Sequence, residues 1–201
     1  MILLCSNAEN IYWLGRYLIR IKVFCQQIPF TDDQKAIDFS HAFCLPAYDA
    51  ASLNELSLDP KQPYSLTNLL ITARNNVQEL RALLSSNLYA ELNQILKNAC
   101  QQPSQICMAV QECHDILESE VNQDVYLFLT LGEKIEQLDE ALRFKTATTA
   151  LLKDLDIIVD MVGVHGWTAL TDAWLSFRQD VNLNAFYDFN DQLTFMYENH
   201  A

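Results

Sequence analysis

The chain has 201 residues, half of them hydrophobic, with only four glycines and five prolines. That supports a sizeable core but supplies too few turn residues for a β-sandwich or a doubly wound α/β fold. Thirteen Lys and Arg oppose 26 Asp and Glu, a formal net charge of −13, which argues against nucleic acid and against an anionic membrane surface while leaving a basic protein partner open.

The opening Met1-Ile2-Leu3-Leu4-Cys5 is apolar, but it is too short for a signal peptide and has no basic n-region. No run approaches the roughly 18 apolar residues of a membrane span. A cytoplasmic chain is expected. The six cysteines form no Cys-x-x-Cys pair, so in a reducing compartment they read mostly as small buried apolar residues.

Ser6-Asn7-Ala8-Glu9 has the form of a capping box, so the first helix is predicted to open at Ser6. Ile11, Leu14, Leu18, Ile21, Cys25 and Ile28 mark one stripe at helical spacing. Tyr12, Trp13, Tyr17, Ile19, Val23 and Phe24 make the other faces apolar too. Such a helix is buried on several sides, and Pro29 should end it. Residues 32–43 suggest a short helix. Pro46, Pro60 and Pro63 then punctuate a polar connection. Ser65 is placed to cap a helix carrying Leu66, Leu69, Leu70, Ala73, Val77, Leu80 and Leu84, which Ser85-Ser86-Asn87 interrupts. Further helices are predicted from about residue 88 to 101 and, after Pro103 in a first turn, through Ile106, Val110, Cys113 and Leu117. The last four are predicted near 124–144, 150–162, 167–177 and 183–197, with Gly163-Val164-His165-Gly166 as a stop. The expectation is an all-α chain, a single helical bundle of about seven to nine helices in one domain over residues 1–201.

An internal repeat runs through this pattern. Ile11, Leu14, Leu18, Ile21 and Cys25 have counterparts, at a constant offset, in Phe128, Leu131, Ile135, Leu138 and Leu142. Both stripes contain a Leu-Gly step, Leu14-Gly15 and Leu131-Gly132. Glycine inside a helix costs about 0.5–1 kcal/mol relative to alanine, so two at equivalent positions predict close packing of the two helices.

The stretch Ala8-Glu9-Asn10-Ile11-Tyr12-Trp13-Leu14-Gly15-Arg16-Tyr17-Leu18 resembles the opening of the bacterial alpha-E family, a helical domain named for a repeated Glu-Arg motif. Residues 63–93 are similar to a second signature region, including Ala73-Arg74-Asn75-Asn76 and Ser85-Ser86-Asn87-Leu88-Tyr89. The Leu131-Gly132 helix looks like the second Glu-Arg copy. The resemblance covers about residues 5–145. It implies an all-helical accessory or protein-interaction module associated with ATP-grasp or transglutaminase-like proteins of peptide-forming or peptide-modifying systems. Each copy here keeps half the motif: Ile19-Arg20 in one and Glu136-Gln137 in the other.

Arg16 and Arg20 lie one helical turn apart on an apolar helix, and Glu133, Glu136 and Asp139 stand at the matching register of the second. Buried charges are costly unless paired, so pairing between the helices is expected, with Arg20 meeting Glu136. The alternative is a small-molecule enzyme that holds an anion with Arg16, Arg20, Arg74 and Glu136, arginine being suited to bidentate anion contacts. No Glu-x-x-His occurs for a di-iron site, and no glycine-rich phosphate loop is present. Cys113 could act as a nucleophile only with His41 or His165 from elsewhere. No catalytic residue, cofactor or metal is therefore assigned. Any ATP chemistry should belong to a partner, and a homo-oligomer stays open.

Overall fold

The computed structural model describes residues 3–119 and 122–199. Within them there are ten α-helices and no strand. They are α1 (Cys5–Gln27), α2 (Asp33–Ala42), α3 (Ala50–Leu58), α4 (Leu66–Glu79), α5 (Ser86–Gln101), α6 (Ile106–Glu118), α7 (Gln123–Arg143), α8 (Thr149–Val164), α9 (Thr168–Gln179) and α10 (Leu183–Asn199). The all-α expectation holds, but seven to nine helices was too few. The additional helix is α3, inside the supposed polar connection. Asp49 accepts from Ser52 N at 2.7 Å while the Ser52 hydroxyl takes the Asp49 amide, closing a capping box. Leu53 and Leu56 then bury that short helix.

Four other helix starts follow their side chains in the same way. Asp32, Ser65, Ser85 and Asn122 each accept from a first-turn amide of the helix that follows, satisfying donors that have no intrahelical partner. Ser6 does not cap: α1 starts one residue earlier, and the Leu4 carbonyl accepts from Ala8 N at 3.0 Å. Pro29 lies just past the end of α1, as expected.

The chain divides into two compact units. One comprises the N-terminal stretch through Arg16 together with the chain after Ser119; the other is Tyr17–Ser119. In the first unit α7, α8, α9 and α10 pack each on the next, and α10 returns to α7 to close a four-helix bundle. Lys134 reaches Asp154 at 2.9 Å, tying α7 to α8. Asp156 on α8 takes the Trp174 indole N–H at 2.8 Å and the Arg178 Nε–H at 3.0 Å from α9. Phe177, Phe186 and Phe189 pack with Trp174 in the α9–α10 core. Trp13, Trp167 and Trp174 all belong to this unit.

In the second unit α4, α5 and α6 form a three-helix group, and α3 links it to α2. Phe39 of α2 gathers Phe24, Phe30 and Phe43 around it. Asn54 clamps the Phe30 backbone from both sides, accepting from its N–H at 2.9 Å and donating to its carbonyl at 2.8 Å.

The cysteine expectation needs correction. Cys25 of α1 and Cys107 of α6 form a disulfide, and of the other four only Cys113 is fully buried. The two bonded residues lie 82 apart in sequence, a spacing that pattern reading cannot pair. Closing a loop of that size removes much unfolded-chain entropy. Reduction is therefore expected to cost the second unit about 2–4 kcal/mol. Urea denaturation followed by circular dichroism, with and without dithiothreitol, checks this. Coincident curves would show that the bridge contributes nothing.

Candidate functional site

The chemistry-bearing residues of the first unit gather where α1 crosses α7. A side-chain carbon at Gly15 would collide with the Leu129 carbonyl, and one at Gly132 with the Tyr12 carbonyl. The two Leu-Gly steps thus let the helix backbones approach closely, as their glycines suggest. One turn further along, that approach brings Arg16 onto α7.

Arg16 is 5% exposed, Glu136 3% and Asp139 4%. The guanidinium Nε–H donates to Glu136 Oε2 at 2.8 Å, and Nη2 donates to Asp139 Oδ2 at 3.3 Å. Nη1 donates to the Tyr12 hydroxyl at 3.2 Å and to Asn190 Oδ1 at 3.1 Å. The cation also lies over the Trp13 ring, 5.1 Å from its centroid, an arrangement that favours a desolvated charge. Asp139 is shared: Arg143, one turn later on α7, donates to it through Nε at 2.6 Å. Two guanidinium groups and two carboxylates therefore balance.

Burial alone would make Arg16 easier to deprotonate. The facing Tyr12, Glu136 and Asp139 outweigh it and hold the guanidinium above its ordinary pKa. It stays charged at every pH at which the protein folds. Burial likewise raises the Tyr12 hydroxyl, with Arg16 partly opposing. Glu140, on the rim, is raised first by burial and then by the Glu136 charge. Tyr12 and Arg16, both raised from already high values, are not poised for proton transfer near neutral pH.

Of the four residues named as anion ligands, Arg16 and Glu136 meet directly. Arg20 and Arg74 belong to the second unit. There the Arg20 guanidinium lies over the Tyr17 ring, 5.7 Å from its centroid. Arg74 sits on α4, half-buried, its Nε without a hydrogen-bond partner. Burial pushes the Cys100 thiol up, and Arg74 partly offsets that. Burial first, then the Glu112 charge, pushes the Cys113 thiol up to about 12, which keeps the thiolate scarce and disfavours it as a nucleophile. His165, expected in a turn, caps the end of α8 and pairs with Asp124 at 3.0 Å.

Sequence reasoning missed Tyr12, Asn190 and Arg143 as members of the network. Two of them were readable: Tyr12 precedes Arg16 by four residues, and Arg143 follows Asp139 by four, the spacing of neighbours on one helix face. Asn190 carried no such signal.

No curated protein and no solved structure matches the chain. A family model described as a predicted alpha-helical domain with a conserved ER motif matches residues 3–185, reaching well past residue 145 into the bundle helices. With most of its length matched, the chain belongs to the Alpha-E family.

Proposed function

We propose that this chain is a non-enzymatic helical accessory module, a single functional domain built from its two units. It works in the cytoplasm beside ATP-grasp or transglutaminase-like proteins that form or modify peptide bonds. One observation carries the reading: the buried Arg16 guanidinium is committed to four fixed partners, Glu136, Asp139, Tyr12 and Asn190. A charge held that way specifies helix register and is not available to a substrate. We read α1 and α7 as two copies of one Leu-Gly helix, each glycine meeting the other helix's backbone, so Glu136, the charge the second copy keeps, acts as scaffold for Arg16. The excess of acidic residues suits a partner with a basic docking face. No helix is long and apolar enough to cross a membrane.

The test is co-purification of the tagged full chain with the ATP-grasp or transglutaminase-like proteins of its own host, followed by assay of such an enzyme with and without it. Specific recovery and altered turnover are expected. Repeated failure to recover any such protein would overturn the assignment. Alkylation of thiols at the moment of lysis addresses the compartment. Cys25 and Cys107 trapped as free thiols fit the cytoplasm, whereas a fully oxidised pair counts against it.

A further inference from the structure

A cleft of about 410 Å³ opens where α7 gives way to α8, with the start of α10 as its far wall. Arg143, Lys145, Thr146, Thr148 and Asn182 supply its polar lining. In a chain of net charge −13 the lining carries no carboxylate and two cations, Lys145 and the Arg143 that Asp139 holds from behind.

The buried network described above ends in this cleft. Arg16 holds Asp139 at 3.3 Å, Asp139 holds Arg143 at 2.6 Å, and Arg143 lies over the Tyr187 ring, 5.7 Å from its centroid. The guanidinium at the cleft wall is thus fixed from below by a charge relay rooted in the core. Lys145 follows α7 in a left-handed conformation, φ 53°, where glycine is the usual and less strained choice. Its side chain is exposed and has no ion-pair partner among the described residues. Thr148 stands at the N-cap of α8 and lines the cleft, and its hydroxyl makes no capping hydrogen bond.

An arginine fork, a lysine point charge and a threonine hydroxyl are donors suited to an oxyanion with several acceptor oxygens; the Thr146 hydroxyl is taken by the Ala141 carbonyl at 3.4 Å. We propose that this cleft binds the phosphate group of a small molecule, with Arg143 and Lys145 as its charged contacts and Thr148 as a hydroxyl donor. The site adjoins the buried Arg16 network through Asp139 and is independent of whether a partner enzyme exists.

The test uses the isotopically labelled full chain, titrated by NMR at constant ionic strength with inorganic phosphate, pyrophosphate and acetate. Saturable shifts are expected at the amides of residues 145–151, with phosphate and pyrophosphate binding more tightly than acetate. Lys145→Gln should weaken phosphate about tenfold, the loss of one charge-assisted contact, and Thr148→Val should weaken it by a smaller factor. Lys153→Gln, on the exposed side of α8, should leave the affinity unchanged. Both Lys145 and Lys153 are exposed, so these two variants keep the fold. No saturable shift, equal losses in Lys145→Gln and Lys153→Gln, or acetate binding as tightly as phosphate would each overturn the proposal.

Discussion

Gly132→Ala is expected to cost the folded chain about 3 kcal/mol or more, at or beyond the upper end of ordinary overpacking. The new carbon would fall on the Tyr12 carbonyl oxygen and come within 2.9 Å of the carbonyl carbon. Both atoms are backbone of a buried helix, so no rotamer change relieves the collision; α1 and α7 must separate. Separation stretches the Arg16 contacts as well. The gain in helix propensity, about 1 kcal/mol for Gly to Ala, is too small to compensate. Gly163→Ala is the control. Its new carbon meets only the Thr171 side chain, at 2.5 Å from Oγ1, and a threonine can turn. That variant should lie within about 1 kcal/mol of the parent. Urea denaturation of both variants decides the matter. Equal midpoints would show that the α1–α7 contact is looser than the glycines imply.

Arg16→Met is expected to cost about 3–5 kcal/mol at pH 7, the range for breaking a buried pair from one side. Methionine restores much of the side-chain volume but leaves Glu136 without its guanidinium, while Asp139 retains Arg143. The deficit should depend on pH in a specific direction. A stranded, buried carboxyl has a folded pKa raised above its unfolded value of about 4.3. Below that value both states carry the proton and the charge penalty is absent. As pH rises through it, only the unfolded chain ionises freely, and the penalty grows. The variant should therefore be closest to the parent in mild acid and furthest from it above neutrality. Adding Glu136→Leu should recover much of the loss, because a matched apolar pair avoids the buried charge. A single-variant cost under about 1 kcal/mol would place the pair among weak surface bridges and remove its structural role.

Much of the fold was legible because its signals are local. The apolar stripe through Ile11, Leu14, Leu18 and Ile21 is fully buried, and Ser65 and Ser85 cap where side-chain chemistry predicts. The helix α3 was obscured by its proline-rich flanks, although Asp49 and Ser52 carried the capping signal three residues apart. The site was half legible. Register pointed to Arg16, Arg20, Glu136 and Asp139, since charges on apolar helices must find partners, but it matched Glu136 with Arg20, whereas the guanidinium that meets it is that of Arg16, one turn earlier. Asn190 could not be found that way. It lies 174 residues from Arg16, and a lone amide in a helix rich in phenylalanine is an ordinary surface residue until packing turns it inward. The bridge between Cys25 and Cys107 was hidden for the same reason: tertiary proximity leaves no trace in sequence spacing.

The placement of the tryptophans has an optical consequence. Trp13, Trp167 and Trp174 all fall in one unit, and Tyr17–Ser119 contains none. Trp174 is almost fully buried, with its indole N–H held by Asp156, so its emission should shift to the red when that unit opens. Indole fluorescence is then a private reporter of the four-helix bundle, while helical circular dichroism reads both units. Changes at Gly132 or Arg16 should move the fluorescence transition directly. Reduction of the Cys25–Cys107 bridge, lying wholly in the indole-free unit, should appear first in circular dichroism. Two spectra on one sample would thus separate the melting of the two halves without dividing the chain.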